Sequence, residues 1–205
     1  MINPIKRNAV KKIMLTMLIL SIGLVALTQS QTAINNKILV VVDIQKHFTT
    51  NTIAENTAQQ LIENTNRIID DFKPENVVYI QAIARVLNIS FKGFRVDTLP
   101  NLELDNRLKI VSKNIFTKNK ANAFTSSTFV EFIENSGIND IVVVGLLAES
   151  CVKETLMGGK KKGYNMYYIP EAIVAKTSEL KAKVERKFQK NNIKAIPIND
   201  ILNKK

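Results

Sequence analysis

Cysteine and histidine, which build most disulfide and transition-metal chemistry, are nearly missing from this chain of 205 residues. It holds one cysteine, Cys151, and one histidine, His47. A single cysteine excludes any disulfide within the chain. One cysteine and one histidine cannot supply the usual ligand set of a zinc centre. No other metal motif is clustered, so neither metal ligands nor a cofactor are assigned. Tryptophan is absent, and no stripe of interleaved aromatic and basic residues runs along the chain. That excludes the stacking platform that single-stranded nucleic acid needs. Acidic residues are outnumbered 18 to 29, for a net charge of +11. Lys160 to Lys162 follow a helical pattern and Lys204-Lys205 end the chain. Cations suit helix C-termini, so these are read as solvated charge rather than as a surface for an acidic partner.

Apolar residues are continuous over a long stretch only near the start. Lys6, Arg7, Lys11 and Lys12 precede an apolar run from Ile13 to Leu27, followed by the polar segment Thr28 to Ala33. This is the layout of a secretory signal peptide over residues 1–30, with cleavage after Ser30. The run falls short of the ~20 residues of a membrane span. An uncleaved signal anchor is the competing reading, and only then is the membrane a partner. The expectation is export, to a periplasm or the outside. No cysteine follows the run, so a lipid-modified N-terminus is not indicated. Setting these four basic residues aside leaves +7 on the rest of the chain.

From residue 37 on, strand-like and helix-like segments alternate. Strands are expected at Ile38 to Val42, Asn76 to Gln81, within Arg107 to Lys118, and at Ile141 to Val144, Asn165 to Ile169 and Ile193 to Ile198. Helices are expected at Glu55 to Phe72, Ser127 to Asn135, Cys151 to Lys162 and Thr177 to Lys190. Gly145 is read as ending its strand. Residues 82–106 have weak periodicity and are read as a long irregular excursion. Alternation with fully apolar strands predicts a three-layer α/β/α domain over residues 37–203, with a central, mostly parallel sheet. In such sheets the ligand site lies beyond the carboxyl ends of the strands.

That rule picks out Asp43, Lys118 and Cys151, each following a strand. Together they make chemical sense. A thiolate attacks a carbonyl carbon, an aspartate takes and returns the proton, and a lysine cation stabilises thiolate and carboxylate. Cys151 opens a helical pattern, where unpaired N–H groups and the helix dipole favour the thiolate. Each residue also has a plain reading. Cys151 can be a buried hydrophobe, Asp43 a turn cap and Lys118 a solvated strand end, with Lys113 and Lys120 nearby as competitors. Their joint occurrence favours the site.

Three blocks carry a resemblance: Val41-Val-Asp-Ile-Gln-Lys-His-Phe48, Lys118-Asn-Lys-Ala-Asn-Ala-Phe124, and Gly145-Leu-Leu-Ala-Glu-Ser-Cys-Val152 continuing to Gly163-Tyr164. In this order they resemble the isochorismatase-like cysteine hydrolase superfamily, which includes nicotinamidases and N-carbamoylsarcosine amidases. The resemblance implies Asp43 as general base and acid, Lys118 as its cationic partner and Cys151 as nucleophile. It implies an oxyanion hole from the backbone N–H groups of Leu147 and Cys151, and a cis peptide between Leu146 and Leu147. It implies hydrolysis of a non-peptide C–N bond in a small amide-type substrate, through a covalent thioester. Members are often oligomeric, so it also implies a homo-oligomer. Gln45, Phe48, Phe91, Phe94 and Phe124 are expected around the pocket, with Arg95 nearby.

The chain departs from the family in places. The Asp-x-His metal ligands and further histidine of nicotinamidases are missing, so a metal-independent amidohydrolase is expected. Isochorismatases proper lack the nucleophilic cysteine. Glu171-Ala172 stands for the family's Asp-Ala, and Leu147 for a threonine or alanine. Two readings from other classes stay open: a non-catalytic binding or scaffold protein that keeps the fold, and a thiol redox enzyme that borrows an outside thiol.

Overall fold

Ile38-Leu-Val-Val-Val42 has no polar residue on either face, so it can rest only in the middle of a sheet covered on both sides. In the computed structural model, which describes residues 36–90, 93–99 and 103–202, all five are fully buried. Each side chain of this size contributes roughly 1.5–3 kcal/mol on burial. The strand is β1 (Lys37–Val42). It pairs in parallel with β2 (Val77–Ala82) on one side and β6 (Asp140–Leu146) on the other. The sheet extends to β5 (Ile115–Lys118) beyond β2. Beyond β6 lie β7 (Asn165–Val174) and β8 (Lys194–Ala195). The order is β5-β2-β1-β6-β7-β8, parallel throughout.

Alternate residues of β1 enter two separate cores. Leu39 and Val41 meet α2 (Glu55–Ile69) through Leu61, Ile62, Ile68 and Ile69, and α6 (Ile198–Leu202) through Ile198 and Ile201. Ile38, Val40 and Val42 face α3 (Ser127–Ser136), α4 (Lys153–Lys161) and α5 (Ser178–Lys190). Helices thus cover both faces. A short helix, α1 (Lys46–Asn51), follows β1 directly. The chain leaves β1 toward β2 on one side and returns through β6 on the other. The ends of β1 and β6 therefore form a topological switch point, where such sheets open a crevice.

Several expectations are corrected. Residues 82–106 are not an irregular excursion. β3 (Ala84–Ser90) and β4 (Gly93–Leu99) form an antiparallel ribbon. Its register pairs Leu87 with Val96 and Ile89 with Phe94, an alternation that the flanking polar residues obscured. Gly93, at φ 119°, occupies a conformation glycine alone adopts easily. The strand expected over Ile193 to Ile198 is cut to two residues, because Pro197 supplies no N–H to a ladder and α6 starts at once. Glu171 serves that helix: its carboxylate accepts the Ile198 N–H at 3.2 Å. The segment read as signal or anchor, residues 1–30, and Phe91 lie outside the described residues. No helix among the described residues is long and apolar enough to cross a membrane.

Gly145 does not end its strand; β6 runs through it to Leu146. Its φ is +123°, and a Cβ there would sit 2.0 Å from the Val42 carbonyl oxygen. The pairing with β7 slips between Val143 and Gly145, while the register with β1 continues to Val42 opposite Gly145. Gly145→Ala therefore meets strain and backbone overlap together. The expected cost is about 3 kcal/mol or more, read as a drop in urea midpoint. A midpoint equal to wild type contradicts this close approach.

Candidate active site

Asp43 leaves β1 at φ 56°, a left-handed conformation that aspartate tolerates better than most residues. Its N–H donates to the Ile80 carbonyl at 2.9 Å, and its own carbonyl accepts from Gln45 N at 2.8 Å. Gln45 does not line the cavity. Its side chain is fully buried and grips the backbone of Ala82, donating to the carbonyl at 3.2 Å and accepting the N–H at 2.8 Å. This clamp locks the end of β1 to the end of β2.

Lys118 ends β5, two strands from β1, and sits opposite Ala82. Strands lie about 4.8 Å apart, so nearly 10 Å separates the two backbones. The lysine, the Asp43 side chain and the 2.8 Å bond between them together span that gap, past the small Ala82. Its Nζ donates to Asp43 Oδ2 at 2.8 Å, with the side chains 1% and 3% exposed. The neighbouring candidates Lys113 and Lys120 make no such bond. The Ala123-Phe124 landmark lies in the core rather than at the pocket. Phe124 stacks on Tyr164 and packs against Phe129, while Ala123 N–H donates to Thr155 Oγ1 at 3.0 Å. Gly159 lets α4 approach there, since a Cβ would meet Met166 Sδ at 2.4 Å and Phe124 at 2.7 Å. Phe124 thus docks the turn after β5 onto α4. Phe94 lies on β4, paired with Ile89.

Cys151 does not open a helix as expected. A π-helical turn spans Ala148–Val152 and continues into α4, so the thiol sits one turn further in. Leu147, joined to Leu146 by a cis peptide, begins that turn; its carbonyl accepts from Ser150 and Val152 N–H at 3.0 and 3.2 Å. Ser150 Oγ lies 3.9 Å from the Cys151 sulfur. Asp43, Phe48, Thr52, Leu146, Leu147, Ser150, Cys151 and Lys176 line one cavity of about 190 Å³. Of the expected residues, the structure thus brings together Asp43, Lys118, Cys151, Leu146, Leu147 and Phe48. Thr52, Ser150 and Lys176 carried no sequence signal. A larger groove of about 560 Å³ lies beside it along α2 and the end of β7, and no cysteine lines it.

The first turn also has a buried brace that sequence reasoning missed. Asp105 accepts from Thr49 Oγ1 at 2.6 Å and from Arg107 at 2.8 and 2.9 Å. The Arg107 bonds hold the Asp105 carboxyl well below the usual range. The brace fixes α1, and so Phe48, over the cavity.

Electrostatics differ from the expectation of a favoured thiolate. Burial pushes the Cys151 thiol up, Asp43 adds to this, and Lys118 opposes both. Burial likewise raises the Asp43 carboxyl against the pull of Lys118. Asp43 Oδ1 is buried and receives no hydrogen bond of ordinary geometry, yet carboxyl and thiol perturb each other. Burial thus favours the protonated form of both thiol and carboxyl, and the Lys118 ammonium opposes it at each.

The family model described as Isochorismatase domain matches residues 37–199. An uncharacterized isochorismatase family protein, YrdC of Bacillus subtilis (strain 168), is 26% identical over 145 residues, 68% of this chain and 74% of its own length. A nicotinamidase/pyrazinamidase of Acinetobacter baumanii has TM-score 0.65 at 22% identity, over 82% of this chain and 99% of its own. An N-carbamoylsarcosine amidase of Thermoplasma acidophilum has TM-score 0.64 at 17% identity, over 80% and 96%. A pyrazinamidase of Pyrococcus horikoshii, in complex with zinc, has TM-score 0.57 at 19% identity, over 79% and 99%. His47 is exposed beside Asn51, and no three His, Cys, Asp or Glu side chains converge among the described residues. The family match covers most of the chain and all three blocks of the site: the protein belongs to the isochorismatase family of hydrolases.

Proposed function

We propose that this protein hydrolyses a C–N bond of a small amide through a thioester on Cys151. The observation that carries the reading is one buried carboxyl group, Asp43, held by Lys118 and lining the same cavity as the Cys151 thiol. As sulfur attacks the carbonyl carbon, the S–H proton passes to Asp43 and an S–C bond forms. The oxyanion is met by the Leu147 and Cys151 N–H groups. Its collapse breaks the C–N bond, and Asp43 returns the proton to the departing ammonia or amine. Water then cleaves the thioester, giving its proton to Asp43 and restoring the thiol. The cavity holds about six water-sized groups at ~30 Å³ each, so the substrate is small. The step draws on no metal. Residues 1–30 are proposed to export the enzyme.

The buried ion pair speaks against a mere scaffold. Apolar residues in place of such a pair are often neutral or stabilising, so a structural role alone gives little reason to keep it. The test is the alkylation rate of Cys151 by iodoacetamide against pH. The wild-type midpoint should lie above that of a free thiol, because burial and Asp43 both raise it. Asp43→Asn removes the carboxylate charge and should move the midpoint down. A midpoint at the free-thiol value, about 8.5, that Asp43→Asn leaves in place contradicts the coupling.

A further inference from the structure

Among the cavity's lining residues only Asp43 and Lys176 carry charge. Asp43 is matched by Lys118. Lys176 is exposed at the rim and takes part in none of the ion pairs among the described residues. Its starting point is fixed: the Lys176 N–H donates to Glu149 Oε1 at 3.2 Å, tying the loop after β7 to the turn that bears Cys151. Glu149 engages the backbone there, not the ammonium, and does not line the cavity. Lys176 also borders the larger groove, so it stands where the two spaces meet. The remaining wall is mostly apolar: Phe48, Leu146 and Leu147. Beside such a low-dielectric wall an unmatched cation attracts an anion more strongly than it does in open water.

We infer that Lys176 selects substrates that carry a carboxylate. The inference rests on Cys151 being the nucleophile and adds the substrate's class: a small amide with an acid group a few bonds away. The amide carbon lies at the sulfur and the carboxylate lies at the rim ammonium. Lys118 cannot take that part, since its ammonium is buried and committed to Asp43.

Two nearly isosteric reagents test this without a known substrate. Iodoacetate and iodoacetamide both form an S–C bond at Cys151, expel iodide and release the thiol proton, but only iodoacetate is anionic. The measurement is the ratio of their rate constants at low ionic strength, in wild type, Lys176→Gln and Lys176→Arg. The iodoacetate-to-iodoacetamide ratio should fall about fivefold to fiftyfold in Lys176→Gln and stay near wild type in Lys176→Arg. The difference should shrink at ~1 M salt, where the screening length is about 3 Å. An equal ratio in wild type and Lys176→Gln overturns the anion role while leaving the nucleophile intact. Failure of both reagents to modify Cys151 instead sinks the reading of the site itself.

Discussion

Cys151→Ala should abolish amide hydrolysis, with kcat/KM falling by about ten-thousandfold or more, as happens when a covalent nucleophile is lost. Alanine keeps the packing of a small half-buried residue, so folding should be little changed. The loss would then lie in chemistry rather than in structure. Initial rates on a panel of small amides, with ammonia or amine as the readout, check this. Residual activity within tenfold of wild type assigns the reaction to another group.

Lys118→Met should have the largest effect on stability. It removes the one cation beside a buried carboxylate and leaves Asp43 unpaired. Breaking a buried pair from one side costs about 3–5 kcal/mol, or roughly 10 °C in Tm for a domain of this size. The cost depends on pH with a definite sign. Without Lys118 the Asp43 carboxyl rises further above its unfolded value, since Lys118 is what pulls it down. A folded-state pKa above the unfolded one favours folding below about pH 4, and that advantage is lost as pH rises through the folded value. The variant's deficit should therefore be small near pH 4 and larger at pH 7. Asp43→Asn with Lys118→Met leaves no buried charge and should recover most of the stability, while activity stays lost. Denaturant midpoints at the two pH values measure this. A pH-independent deficit that the double variant does not repair contradicts the ion-pair account.

Much of this architecture was legible because the signals were local. Ile38 to Val42 and Ile141 to Val144 could rest only in a doubly covered sheet, and the rule for strand ends then picked out Asp43 and Cys151. What stayed hidden depends on neighbours far away in sequence. The ribbon of β3 and β4 has apolar pairs only across strands, Leu87 with Val96 and Ile89 with Phe94, so neither strand shows clean alternation alone. Gly145 reads as a breaker until the Val42 carbonyl beside it is known. Gln45 looked like a pocket residue, and its contact with Ala82 lies 37 residues away. Phe124 looked the same, but it packs against Tyr164 and Phe129. The thiol was expected to be acidic from its place near a helix start. Burial, invisible along the chain, reverses that direction, and the Asp43 charge adds to it.

The covalent intermediate itself gives the most direct test. Wild-type protein is mixed with an amide that it hydrolyses, quenched in acid within a turnover, digested and weighed. The account predicts the peptide carrying Cys151 at its own mass plus the acyl group, with the adduct absent from Cys151→Ala. Full turnover with Cys151 never acylated at any quench time would contradict it.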